Sequence, residues 1–152
     1  MAATDDTIDT LNDLIETSKD GEFGFRSSAE YLTSAELKQL FTQRAEQCRR
    51  AAADLQTLVV QLGGTPEDGG TTAGAMHRGW VSLKGKLAGY TDVAILEETE
   101  RGEDSALESY RKALESDLPR KARALVEGQL EGVRRNHAQV RSLRDQARTS
   151  AI

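Results

Sequence analysis

The sequence predicts an all-α four-helix bundle, built as two helical hairpins joined by a long crossover that contains a short helix. Three observations carry this. Apolar residues recur at three- and four-residue steps almost throughout, with no competing two-residue alternation. Pro is scarce, at 2, while Ala, Leu, Glu, Arg and Gln are common, a mixture that favours long helices. One glycine-rich interruption, about residues 64–89, is far longer than a hairpin turn.

The first helix is expected from Asp5 or Thr7 to Tyr31, on an apolar row through Ile8, Leu11, Ile15, Phe25 and Leu32. A second starts at "TSAEL", where Thr33 and Glu36 have capping-box spacing. Its row runs through Leu37, Phe41, Ala45, Cys48, Leu55 and Val59, and Gly63 stops it just before Pro66. In the crossover, Met76, Trp80, Leu83 and Leu87 have 4-3-4 spacing, which predicts the short amphipathic helix. A third long helix follows from Tyr90 to Ser116. Pro119 suits the first turn of the last, which runs to Arg148. The crossover is long enough to carry the chain back along the bundle, which is the ferritin-like topology. One domain over residues 1–152 is expected.

Hydrophobic residues at 38% and charged residues at 30% describe a polar chain that can still bury a core. The net charge of -5 and the pI near 5.1 argue against a general nucleic-acid binder, although "RRNHAQVRSLRDQAR" is locally basic. Cys48 is the only cysteine, which excludes an intramolecular disulfide and a multi-thiolate zinc site. It reads as a small core residue. No stretch approaches a membrane span, and "MAATDDTIDT" has no apolar signal core. The expectation is a cytoplasmic protein with neither nucleic-acid nor membrane partners. Phe23 and Tyr31 fall off the inner face of the first helix; with Trp80 they mark where the crossover packs or a second chain docks, which slightly favours a homodimer over a monomer. His77, in "MHRGW", reads as a surface histidine.

The acidic run "ILEETERGED" raises the functional question. An ideal helix turns about 100° per residue, so each side chain can be placed against the apolar stripe. Glu97, Glu98, Asp104 and Glu108 point outward, Glu100 lies at the edge, and Glu103 alone falls well inside. Gly102 beside it offers a place for a neighbouring helix or the crossover to approach. The same projection turns Glu22, Arg44 and Gln129 inward, with His137 flanking. Counting residues from the turns puts all five near one level. The expectation is a mid-bundle polar layer of Glu22, Arg44, Glu103, Gln129 and His137, with Arg44 donating to both glutamates. Such a layer sets helix register, or else it holds a ligand, a metal or a proton.

"DGEFGF" in the first helix, "HRGW" before the short helix and "ERGED" in the third resemble a bacterial family of uncharacterised four-helix-bundle proteins. That family is placed in the ferritin-like superfamily. The resemblance runs from about Thr7 to Arg148. It implies a domain of unknown function, non-enzymatic in leaning, with a stress-related role. A ferritin-like di-iron centre uses two single glutamates and two Glu-x-x-His motifs. Glu22 and Glu103 could stand for the single glutamates. Glu46 and Glu131, however, are followed three residues later by Arg49 and Arg134. No cofactor is therefore expected; the alternative is iron or manganese held by Glu22, Glu103 and His137, in a metal-binding or redox protein.

Overall fold

The computed structural model describes residues 2–67, 87 and 89–150, with side chains from residue 4 to residue 149 within those spans. Four long helices make up the described chain: α1 (Ala2–Tyr31), α2 (Ala35–Gln61), α3 (Asp92–Glu115) and α4 (Arg120–Ser150). The architecture is an all-α four-helix bundle. α1 packs along α2, α3 along α4, and α1 against α3, while α2 and α4 touch only lightly. The expected crossover helix at Met76, Trp80 and Leu83, with His77, lies outside the described residues. Among those residues no helix is long and apolar enough to cross a membrane.

Local chemistry sets the helix ends. Ser34, not Thr33, caps α2, its hydroxyl accepting from Leu37 N at 3.3 Å. Thr33 is committed elsewhere: its amide and hydroxyl both donate to the Asp92 carboxylate at 2.8 Å. α2 ends in a Schellman motif, with Gly64 N donating to Val59 O and Gly63 N to Val60 O, both at 3.0 Å. Gly63 has φ +84°, the left-handed conformation this motif needs. Thr91 caps α3 by accepting from Ala94 N.

Two sets of hydrogen bonds give the direction of the chain. Asp92, in the first turn of α3, accepts from Thr33 and from Ser34 N at 3.1 Å, so α3 begins beside the α1–α2 turn. At the other end, Asn12 accepts from Glu67 N at 2.8 Å and donates to Thr65 O at 3.2 Å. α2 therefore ends beside the start of α1. Hence α2 and α3 run parallel, and the end of α2 and the start of α3 stand apart by the length of a helix of 27 residues, roughly 40 Å at about 1.5 Å per residue.

Asp92 is thus the clasp that joins the returning chain to the first hairpin. Burial alone would raise its carboxyl, but the Thr33 and Ser34 hydrogen bonds hold it below the ordinary range. Its contribution is present above the unfolded-state value near 4 and is lost as pH falls through the depressed folded value. Asp92→Ala is expected to lower stability by about 2 kcal/mol at neutral pH, since hydrogen bonds to a charged group carry about 1.5–3 kcal/mol each and part is recovered by water. Urea denaturation at pH 7 measures it, and an unchanged midpoint would contradict the clasp.

The buried apolar residues form two clusters. One lies toward the start of α1 and includes Leu11, Ile15, Leu55, Val59, Tyr110 and Val126. The other lies toward the α1–α2 turn and includes Phe25, Phe41, Leu87, Ile95, Leu96 and Val140.

Candidate functional site

Between the two cores the helices carry small residues. At this level α1 has Gly21 and Gly24, α2 has Ala51, α3 has Gly102 and Ala106, and α4 has Gly132. They border a partly open cavity of about 610 Å³, within the roughly 300–1,000 Å³ range of small-molecule sites. Among the described residues, a Cβ at Gly24 or Gly102 would meet nothing within 4 Å. Among the described residues no neighbouring helix approaches Gly102, and most of the crossover expected there lies outside them. The close approach is at Gly21, where a Cβ would lie 2.9 Å from Cys48 Sγ.

Glu103 lines this cavity and is the buried charged residue among those described, at 6% exposed. Among the described residues its Oε1 has no hydrogen-bond partner. Burial pushes its carboxyl up to about 8; Arg44 opposes the shift, and the Asp104 and Glu100 charges add to it. The side chain is mostly a neutral acid at pH 7.

The other expected members of the layer are only half-buried, and they partner differently. Arg44 donates from Nη1 to Gln47 at 3.0 Å and from Nη2 to Gln139 on α4. Among the described residues its buried Nε has no partner. Among the described residues no ion pair joins Arg44 to Glu103 or Glu22, because the two glutamines take its terminal nitrogens. Glu22 turns to Arg26 on its own helix, Oε2 to Nη2 at 2.9 Å.

Gln129 belongs to a chain of hydrogen bonds that crosses all four helices. Its Oε1 accepts from Tyr110 Oη at 2.7 Å, and its Nε2 donates to Ala51 O at 3.2 Å. The Tyr110 proton is committed to Gln129, so Ser18 Oγ donates to the phenol oxygen at 3.3 Å. Burial raises the Tyr110 phenol to about 12. Cys48 also lines the cavity. Burial, reinforced by Glu103 and Glu22, pushes its thiol up to about 12, so it is no thiolate nucleophile at neutral pH.

His137 faces the opposite edge of α3. Its Nε2 lies 2.6 Å from Asp104 Oδ1, and Glu100 completes a group of ligand-type atoms within 4.8 Å of one another. Among the described residues this is the group that could hold a metal, so neither Glu22 nor Glu103 joins His137. Glu100 is already held by Arg144. Arg148 meets Glu97 at 3.4 Å, so the basic end of α4 is partly answered by the acids of α3. Asp104 escaped the sequence projection because it points outward from its own helix, and only the position of α4 brings it to His137.

A di-iron centre does not fit these residues. Of the two glutamates on the cavity wall, Glu103 is a neutral acid and Glu98 is held by Arg101; Glu22 is paired with Arg26, and Glu46 accepts from Arg49 Nε at 2.9 Å where a histidine would be needed.

Fold and cavity together define an all-α four-helix bundle with a polar layer between two apolar cores. The chain belongs to the family described as Domain of unknown function (DUF2383), whose family model matches residues 6–116. The match covers α1, α2, the crossover and α3, and stops at Ser116, before α4. No curated protein matches the chain.

Proposed function

We propose that this bundle is a binding module for a small organic molecule, held in the cavity between its two cores. The observation that carries this is Glu103: a buried acid on the cavity wall with an oxygen that the described residues leave unpartnered. Buried polar atoms in native proteins nearly always have partners, and the exceptions call for a reason. A purely structural layer would have let Arg44 satisfy Glu103. The parallel α2–α3 arrangement supports kinship with the ferritin-like superfamily at the level of fold, within one cytoplasmic, non-enzymatic domain. The kinship does not extend to iron chemistry.

Gly24→Leu tests the reading. Its side chain would project into the open space beside Gly24 and occupy the cavity. A ligand-observed NMR screen of small organic fragments is expected to find binders of the wild-type chain that Gly24→Leu loses while its far-UV circular dichroism is kept. No binder to the wild-type chain, or equal binding by the variant, would defeat the proposal.

A second reading has one observation in its favour, the Glu100–Asp104–His137 group. A divalent cation there would have to displace Arg144 from Glu100 and part the Asp104–His137 hydrogen bond. Calorimetric titration with zinc or manganese, compared with Asp104→Ala, decides it: equal heats in both chains would exclude this site.

A further inference from the structure

Resting on the cavity reading above, we infer that the ligand is a compact apolar cation, an aliphatic or aromatic amine whose ammonium group pairs with Glu103. The wall of the cavity is acidic. Asp20, Asp54, Glu98 and Glu103 line it, against Arg50 as its basic residue. Arg50 is turned toward Glu46, at 3.5 Å. Glu98 is engaged by Arg101, at 3.2 Å. Asp20, Asp54 and Glu103 remain, and partial burial holds the Asp20 carboxyl above its ordinary range. An anionic ligand would meet like charge on α1, α2 and α3. A neutral one would leave Glu103 with only a neutral hydrogen bond.

An ammonium group converts the most costly feature of the cavity into its anchor. A buried carboxylate without a partner is expensive, which is why Glu103 holds a proton. A cation brought against it supplies the missing charge in a low-dielectric setting, where hydrogen bonds between ionised groups are short and strong. Glu103 then ionises, and its proton leaves for the solvent. The charged neighbours permit this. Arg44 on α2 favours the ionised form; Asp104 and Glu100 on α3 oppose it; Glu22 on α1 is paired with Arg26, and His137 on α4 is occupied with Asp104. Phe25, also on the wall, offers an aromatic face to the cation.

Three probes of similar shape separate charge from fit: cyclohexylmethylamine, cyclohexylmethanol and cyclohexanecarboxylate. Calorimetry at pH 7, in phosphate and in Tris, reports affinity and proton release together. The amine is expected to bind at least about tenfold more tightly than the alcohol, equivalent to about 1.4 kcal/mol, and to release most of one proton. The carboxylate is expected to bind least. Glu103→Gln should abolish both the preference for the amine and the proton release. In the wild-type chain, the ¹³C resonance of the Glu103 carboxyl should move to its ionised position as the amine is added. Alcohol binding equal to that of the amine, with no proton release, would overturn this inference and leave the cavity reading standing. Failure of all three probes to bind would overturn both.

Discussion

Between about pH 4.5 and pH 8 the wild-type chain is expected to lose stability relative to a Glu103→Gln variant, by about 1.4 kcal/mol per pH unit. The cause is the buried acid. In the unfolded chain Glu103 loses its proton near its ordinary value of 4.5; in the folded chain burial holds that proton until about 8. Below the lower value both states carry the proton and nothing is lost. Within the window only the unfolded state ionises, so rising pH favours unfolding. Above the upper value the difference is constant, at a few kcal/mol. Glutamine has nearly the same shape and no titration, so it subtracts the pH dependence of every other group. Urea denaturation of both chains at half-unit pH steps gives the difference directly. Parallel stability curves across the window would show that Glu103 is not held neutral.

Phe41→Ala is expected to cost about 3–5 kcal/mol, the usual range for emptying a buried phenylalanine site. Phe41 is fully buried and meets Phe25 edge to face, with ring centroids 5.3 Å apart and planes at 85°. Such a pair adds about 0.5–1.5 kcal/mol beyond the area it buries. Phe41 also shares its core with Leu87, where the returning chain rejoins the bundle, and with Val140 of α4. One residue therefore links the first hairpin to both later elements. Val60→Ala is the control. Val60 is 59% exposed, so its change should stay within about 0.5 kcal/mol. Thermal or urea denaturation of the two variants side by side measures the contrast. A Phe41→Ala loss below about 1 kcal/mol would mean that the core toward the α1–α2 turn is not close-packed.

The helices were legible because their signal is local. Gly63 and Pro66 marked the end of α2 to within a residue or two, and Pro119 lies immediately before α4. The start of α2 was misplaced by one residue. Thr33 and Ser34 are both good caps in isolation, and only the arrival of Asp92 from α3 takes Thr33 out of the competition. Glu103 was legible for the same local reason, since its angle on α3 depends on that helix alone. Its environment was not. Reach decides whether Arg44 meets a glutamate or a glutamine, and reach depends on how far α2 stands from α4.

The cavity left a trace that the search for charged residues passed over. Gly21, Gly24, Ala51, Gly102, Ala106 and Gly132 were all visible as small residues. They make a cavity only because the chain returns to bring α3 and α4 to the same level as the middle of the first hairpin. The Ser18–Tyr110–Gln129 chain of hydrogen bonds is similar: each residue lies on an inner stripe, but which hydroxyl reaches which amide follows from helix rotation.

From its sequence alone, this protein was determined to be four long helices in two hairpins, with Glu22 and Glu103 directed inward among many acids on the surface. Periodicity decides that much, because a helix buries whichever face is apolar whatever it packs against. Tertiary structure alone decided that Glu103 Oε1 has no partner among the described residues, that Arg44 serves Gln139, that His137 serves Asp104, and that space is left between two cores. Those are outcomes of distance between helices. A change of a few ångströms separates a hydrogen bond from an unpaired atom, and no pattern along one helix records its distance from the next.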